Sequence, residues 1–116
     1  MADFPQFVKH PANLTAPSPQ SGSAVEGYLF DGADGSQVAF RICTETTISP
    51  QHVHEQDEYM VVVEGSYLLL IQGKQVELKA GQEYFIPKGV PHGSKVLAGT
   101  RSIHAFGGRR VGRSVS

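Results

Sequence analysis

Turn signals cut the chain from Ala24 to Phe106 into short pieces at almost even intervals, and that spacing limits the fold more than any other feature. Gly32-Ala33-Asp34-Gly35, Glu64-Gly65, Gly73-Lys74, Ala80-Gly81, Pro87-Lys88-Gly89 and Ala98-Gly99 supply the breaks. Glycine reaches backbone angles closed to other residues, and proline fixes φ and cannot donate to a ladder, so such clusters end regular structure. The runs between them are rich in β-branched and apolar residues and predict strands over 25–31, 37–47, 58–63, 66–72, 75–78, 83–86, 92–97 and 100–106. Eight short strands so regularly spaced predict an all-β sandwich or barrel, in which closure or double-sheet packing limits exposed edges.

A length of 116 residues is enough for one domain with a modest core and too little for two. Four of the seven prolines fall in the first 20 residues. Residues 1–23 therefore read as an extended arm that Phe4, Phe7, Val8 and Leu14 can pin to a surface, residues 24–107 as the barrel domain, and residues 108–116, with three arginines among small residues, as a flexible basic tail. Met60-Val61-Val62-Val63 and Leu68-Leu69-Leu70-Ile71 are apolar on both faces, whereas a sheet with one wet side alternates. One outer face is expected to be covered, by the arm or by a second subunit, and a homodimer is expected.

Ten basic against eleven acidic residues, a net charge of −1, provide no field that would gather nucleic acid or an anionic membrane, so neither is an expected partner. No apolar run approaches the roughly 18 residues needed to span a bilayer as a helix. The single cysteine, Cys43, has no internal disulfide partner, and the N-terminus lacks a basic segment followed by an apolar run, which points to the cytoplasm. Within Phe40-Arg41-Ile42-Cys43 that cysteine reads as a small buried hydrophobe rather than a reactive thiol.

The chemistry concentrates in His52-Val53-His54-Glu55-Gln56-Asp57-Glu58 and Pro87-Lys88-Gly89-Val90-Pro91-His92. Residues two apart on an extended backbone leave the same face, so one side of one strand is expected to hold both His52 and His54. Glu58 keeps that parity if the strand continues. His92 follows a turn that fixes the chain direction and is expected to close the cage from the opposite wall. Three neutral imidazoles and a carboxylate suit divalent iron, manganese, nickel, cobalt, copper or zinc. Taken alone, each histidine is more often a satisfied polar residue than a ligand; the combination is what points to metal.

His52-x-His54-x3-Glu58-x6-Gly65 and Gly81-x5-Pro87-x-Gly89-x2-His92 closely resemble the two signature motifs of the cupin superfamily. The resemblance implies a small single-domain cupin, a double-stranded β-helix or jelly-roll β-sandwich barrel, with the family's metal ligands at His52, His54, Glu58 and His92. His104 resembles the position from which some small cupins present an acid–base residue into the barrel. The parity of its strand leaves two placements open: inward, as a catalytic proton shuttle, or outward, with Ile103 and Ala105 facing in. Met60 and Val62 read as core, and Tyr67, Tyr84, Phe40 and Arg101 as possible pocket walls.

The superfamily hosts dioxygenases, isomerases, lyases and proteins that only bind small ligands, so the resemblance leaves function to the pocket. The leading expectation is a metal-dependent enzyme acting on a small oxygen-bearing molecule, of dioxygenase or Lewis-acid lyase or isomerase type. The alternative is a non-catalytic module that binds a small molecule.

Overall fold

The computed structural model describes residues 4–9, 13–14 and 25–109. Among them run nine strands: β1 (Val25–Asp31), β2 (Gln37–Cys43), β3 (Thr47–His52), β4 (Glu58–Glu64), β5 (Ser66–Ile71), β6 (Lys74–Lys79), β7 (Glu83–Ile86), β8 (His92–Val96) and β9 (Arg101–Phe106). They form two antiparallel sheets, ordered β1-β2-β9-β4-β7 and β3-β8-β5-β6. The β1–β2 and β5–β6 hairpins stay within a sheet, and every other connection crosses between sheets. The result is a jelly-roll β-sandwich.

The expected single strand over 37–47 is two. Chain direction changes at Thr44-Glu45-Thr46, all exposed, and β3 leaves for the other sheet. β-branched threonines pass for strand residues in a sequence, but here the hydroxyls serve the corner: Thr47 Oγ1 donates to the Glu45 carbonyl at 2.8 Å and Thr46 Oγ1 accepts from the Ala98 amide at 3.1 Å. Cys43 is buried at this corner, with its thiol on the Glu45 carbonyl.

Two further crossings meet beside that corner. Gly65 carries the chain from β4 to β5 at φ +95°, and a Cβ there would stand 2.7 Å from Cα of Thr100. Thr100, which brings the chain back towards β9, is buried, and its Oγ1 accepts from the Ser66 amide at 3.1 Å and donates to the Ser66 carbonyl at 3.0 Å. One side chain thus ties two crossings together.

The interior is divided. Met60, Val62, Leu69, Ile71, Leu78 and Ile86, on β4 to β7, form the main apolar cluster, with Tyr67, Val76, Tyr84 and Val90 packed against it. Leu29, Ala39 and Phe106 form a smaller one. Among the inward positions of β2, β9 and β8, however, five buried ones are polar: Gln37, Ser102, His104, His92 and Ser94. An apolar half supplies most of the burial that drives folding, and a more polar half lies beside it, each drawing on both sheets.

The arm covers part of the outer face of the five-stranded sheet. Phe4 and Val8 are buried, Phe4 packing edge-on against Phe40 with the Arg101 guanidinium 4.4 Å over its ring. Leu14 makes one antiparallel bridge to Tyr28 on β1, blunting that edge. Phe40 and Arg101, considered as pocket walls from sequence, therefore belong to the outer face. Tyr59 and Phe85, paired across β4 and β7, remain exposed. Residues 110–116, most of the basic tail, lie outside the described residues, as do 1–3, 10–12 and 15–24 of the arm.

Candidate metal centre

His52 ends β3, an edge strand that carries a bulge between Ser49 and His52. Pro50, which has no amide to donate, sits in that bulge, where a sheet tolerates it. The extra residue leaves both Pro50 and Gln51 exposed and turns His52 inward, directly opposite His92 on β8. β-Pairing then stops, so His54 lies in the connection to β4 rather than on a shared strand with His52. Alternation nevertheless persists, with Val53 exposed and His54 turned in. The expected common direction holds, on a backbone the sequence does not mark as leaving the sheet.

The walls differ from the expectation. His92 stands in the same sheet as His52, with ring centroids 4.4 Å apart, and Glu58, first residue of β4, closes the cluster from the opposite sheet. The Pro87-Lys88-Gly89 turn docks onto the 53–57 connection: the Gly89 amide donates to the His54 carbonyl at 3.0 Å and the Lys88 amide to Asp57 Oδ1 at 2.9 Å. Gly89, at φ +77°, makes that approach possible.

Each imidazole is aimed by its own chain. Nδ1–H donates to the Pro50 carbonyl in His52 at 3.0 Å, to the Gln56 carbonyl in His54 at 2.8 Å and to the Val90 carbonyl in His92 at 3.0 Å. A carbonyl only accepts, so Nδ1 carries the proton and Nε2 of each neutral ring presents a lone pair. One ring nitrogen from each of the three lies within 4.8 Å of the others, a grouping able to hold a metal ion.

Glu58 is buried beneath them, Oε1 standing 2.9 Å from His54 Nε2 and 3.9 Å from His92 Nε2. With its Nδ1 proton committed to Gln56, neutral His54 has nothing to donate to that oxygen. Two lone pairs face each other unless His54 is doubly protonated or a cation stands between them. Oε2 accepts from His104 Nδ1–H at 2.6 Å, and Ser102 Oγ lies 2.8 Å from His104 Nε2. His104 is therefore inside the barrel, fully buried and behind the carboxylate, which resolves the two placements left open by parity.

Burial alone would push the Glu58 carboxyl up. Hydrogen bonding from His104, and from His54 when that ring is doubly protonated, together with the charges of His104 and Arg41, outweighs that and holds it well below the usual carboxylate range. Burial pushes His92 down, and the neighbouring imidazoles add to it against the opposing pull of the Val90 carbonyl and Glu58. The cluster thus favours an ionised carboxylate beside a neutral His92.

Reading the sequence missed Arg41, Ser94 and Ser102 as residues of this region. Arg41 left a signal, being the one charged residue of the 37–43 run and sharing inward parity with Gln37 and Ala39. Ser94 and Ser102 left none beyond parity with His92 and His104. Tyr67 does face the interior, its ring 5.8 Å from that of His104.

A model of the cupin domain matches residues 41–110. In a search of curated proteins no sequence matches the chain. Solved structures are similar in fold: an RmlC-like cupin from Shewanella frigidimarina, 19% identical, with 88% of this chain and 90% of that chain covered and a TM-score of 0.69; and KdgF from Halomonas sp., 18% identical, covering 81% and 85%, at 0.68. A chain from the crystal structures of the DMSP lyases RdDddP and RnDddQII is 20% identical over 81% of this chain, which spans only 52% of that one, at 0.66. No helix among the described residues is long and apolar enough to cross a membrane.

Proposed function

The chain belongs to the cupin family, and from that premise we propose that it is a metal-dependent enzyme acting on a small oxygen-bearing molecule by proton-transfer chemistry of the lyase or isomerase type. His52, His54, Glu58 and His92 are the ligands in this reading. The observation that carries it is the confrontation of His54 Nε2 with Glu58 Oε1 at 2.9 Å while Nδ1 of all three imidazoles is held by backbone carbonyls. Three convergent lone pairs, with His92 buried and His52 and His54 half-buried, beside one buried anion are short of a cation, and a divalent transition ion, from manganese to zinc, supplies it.

When bound, such an ion would polarise a substrate oxygen as a Lewis acid. The chain's own part is to keep three Nε2 lone pairs convergent, to keep Glu58 ionised, and to fix that carboxylate from behind. His104 acts through Glu58 and is a positioning residue: with its Nδ1–H on Oε2 it leaves Oε1 turned to the imidazoles. The buried polar wall beside the cluster suits a hydrophilic molecule, and the fold similarity to a chain from a structure of DMSP lyases is in keeping with a lyase.

Elemental analysis of untagged protein and of His92→Ala tests the site. Near-stoichiometric metal in the wild type and its loss in the variant are expected; no metal in the wild type sinks the reading. Deuterium incorporation from solvent into the C–H bonds beside the carbonyl of hydroxyacetone, followed by NMR without air, tests the chemistry. Oxygen uptake without such exchange would move the protein to the dioxygenases.

A further inference from the structure

We propose that Arg41 and Ser94 form a carboxylate subsite beside the imidazole cluster, so that the substrate is a small, singly charged carboxylic acid carrying a second oxygen. The reaction in this inference rests on the reading above; the binding of the carboxylate does not.

Arg41 pairs with Ser102 on β9 and with Gly27 on β1, and shares inward parity with the buried Gln37 and Ala39. Its guanidinium is half-buried and makes no hydrogen bond or ion pair among the described residues, although five N–H donors need acceptors. Its charge still reaches the interior, since it helps to hold Glu58 ionised. The register neighbour on the edge side is a glycine, which brings no carboxylate to satisfy it.

Ser94 stands on the facing sheet, across from the fully buried Leu69, and is 5% exposed. Its hydroxyl has no hydrogen-bond partner among the described residues. Buried hydroxyls and cations are disfavoured without partners, so two such groups on the polar half of one interior are a vacancy for an acceptor. Ser94 follows His92 by two residues, roughly 7 Å along a strand, which is the span of a short carbon chain. An oxygen of the substrate at the imidazoles then places a carboxylate near the hydroxyl and the guanidinium fork. A planar guanidinium fork with one hydroxyl matches the two coplanar oxygens of a carboxylate better than the tetrahedral oxygens of a phosphate.

The test uses the full chain, metal-loaded and chelator-stripped, titrated by calorimetry and ligand-observed NMR with pyruvate, D-lactate and L-lactate, with hydroxyacetone as the uncharged counterpart and inorganic phosphate as the competing anion. Wild type is expected to bind at least one of the carboxylates. Arg41→Gln should weaken it about tenfold or more, Arg41→Lys less, and Ser94→Ala a few-fold, with hydroxyacetone binding unchanged in all three and metal content unchanged in Arg41→Lys and Ser94→Ala, which keep the charge beside Glu58. The melting temperature of Arg41→Gln should fall little, because no hydrogen bond or ion pair is lost and only the longer-range pull on Glu58 goes; an arginine kept for structure by a direct contact would lower it by much more. No binding of any carboxylate, equal binding by Arg41→Gln, or tighter binding of phosphate than of every carboxylate overturns the subsite. A protein that takes up no metal but holds the carboxylate through Arg41 overturns the metal reading and leaves the subsite standing. Bound metal with carboxylate binding indifferent to Arg41 does the reverse.

Discussion

His104 has two interactions that decide its role, Nδ1 on Glu58 and Nε2 against Ser102, and both are buried. Groups that orient a ligand from behind typically change metal affinity by about 10- to 100-fold when removed. His104→Ala is expected to weaken metal binding in that range, measured by competition with a chromophoric chelator, and His104→Gln, which keeps a donor, to recover part of it. Equal affinity in all three proteins would remove the positioning role. The titrations of the metal-free protein have a definite sign. His92 is lowered in the folded state, so the unfolded chain takes up its proton first, and stability is lost as pH falls from about 6.5 towards the folded value. Glu58 is lowered as well, so its contribution is present above the ordinary value of 4.5 and is lost only as pH falls further. Melting temperatures of metal-free protein should thus decline in two stages on acidification, and His92→Gln should flatten the first.

The hairpins and most strand limits were legible in the turn residues, because glycine at positive φ marks a backbone event whatever packs around it. The Gly65 and Gly89 turns lie where the sequence places them. What could not be read is the corner at 44–46 and the end of pairing at His52, since threonine, histidine and valine suit strands and the decision is made by contacts distant in sequence, 52 positions away at the corner and 31 at the connection after His52. The same blindness put His92 on the wrong wall. Alternation, by contrast, survived the loss of pairing, so the ligand directions were legible although their support was not. At this scale the tie between crossings is testable. Thr100→Val takes the side-chain acceptor from the buried Ser66 amide and one of two donors from its carbonyl, which keeps the Leu97 amide, and should destabilise by about 1–3 kcal/mol in urea unfolding. Thr100→Ser should cost much less. Gly65→Ala should also lose more than about 1 kcal/mol, from strained φ and the clash with Thr100.

Across the whole molecule, folding and chemistry occupy different halves of one interior. The apolar cluster between β4 and β7 is complete without an ion, so removing metal should lower the melting temperature by linkage without unfolding the protein at room temperature, as circular dichroism with and without chelator would show. Unfolding at 25 °C on chelation would mean that the ion is structural. The homodimer expected from the double-faced apolar strands has its test in light scattering, where twice the chain's mass is expected. The arm already covers part of one sheet, and Tyr59 and Phe85 are exposed at 40% and 54% on that same sheet, so Tyr59→Ser with Phe85→Ser should shift the protein to monomer if the dimer forms there. An unchanged dimer would place the contact elsewhere.

Each histidine of the cluster takes its orientation from a carbonyl two residues away along its own chain. The instruction is therefore short-range: a seven-residue segment, 50–56, holds both the imidazoles of His52 and His54 and the two carbonyls that choose their tautomers. Such a segment can be transplanted into the rim of an unrelated barrel, or exchanged between members of one lineage, without carrying its supporting architecture along. What must be invented anew in each host is the carboxylate and the wall that meets the substrate.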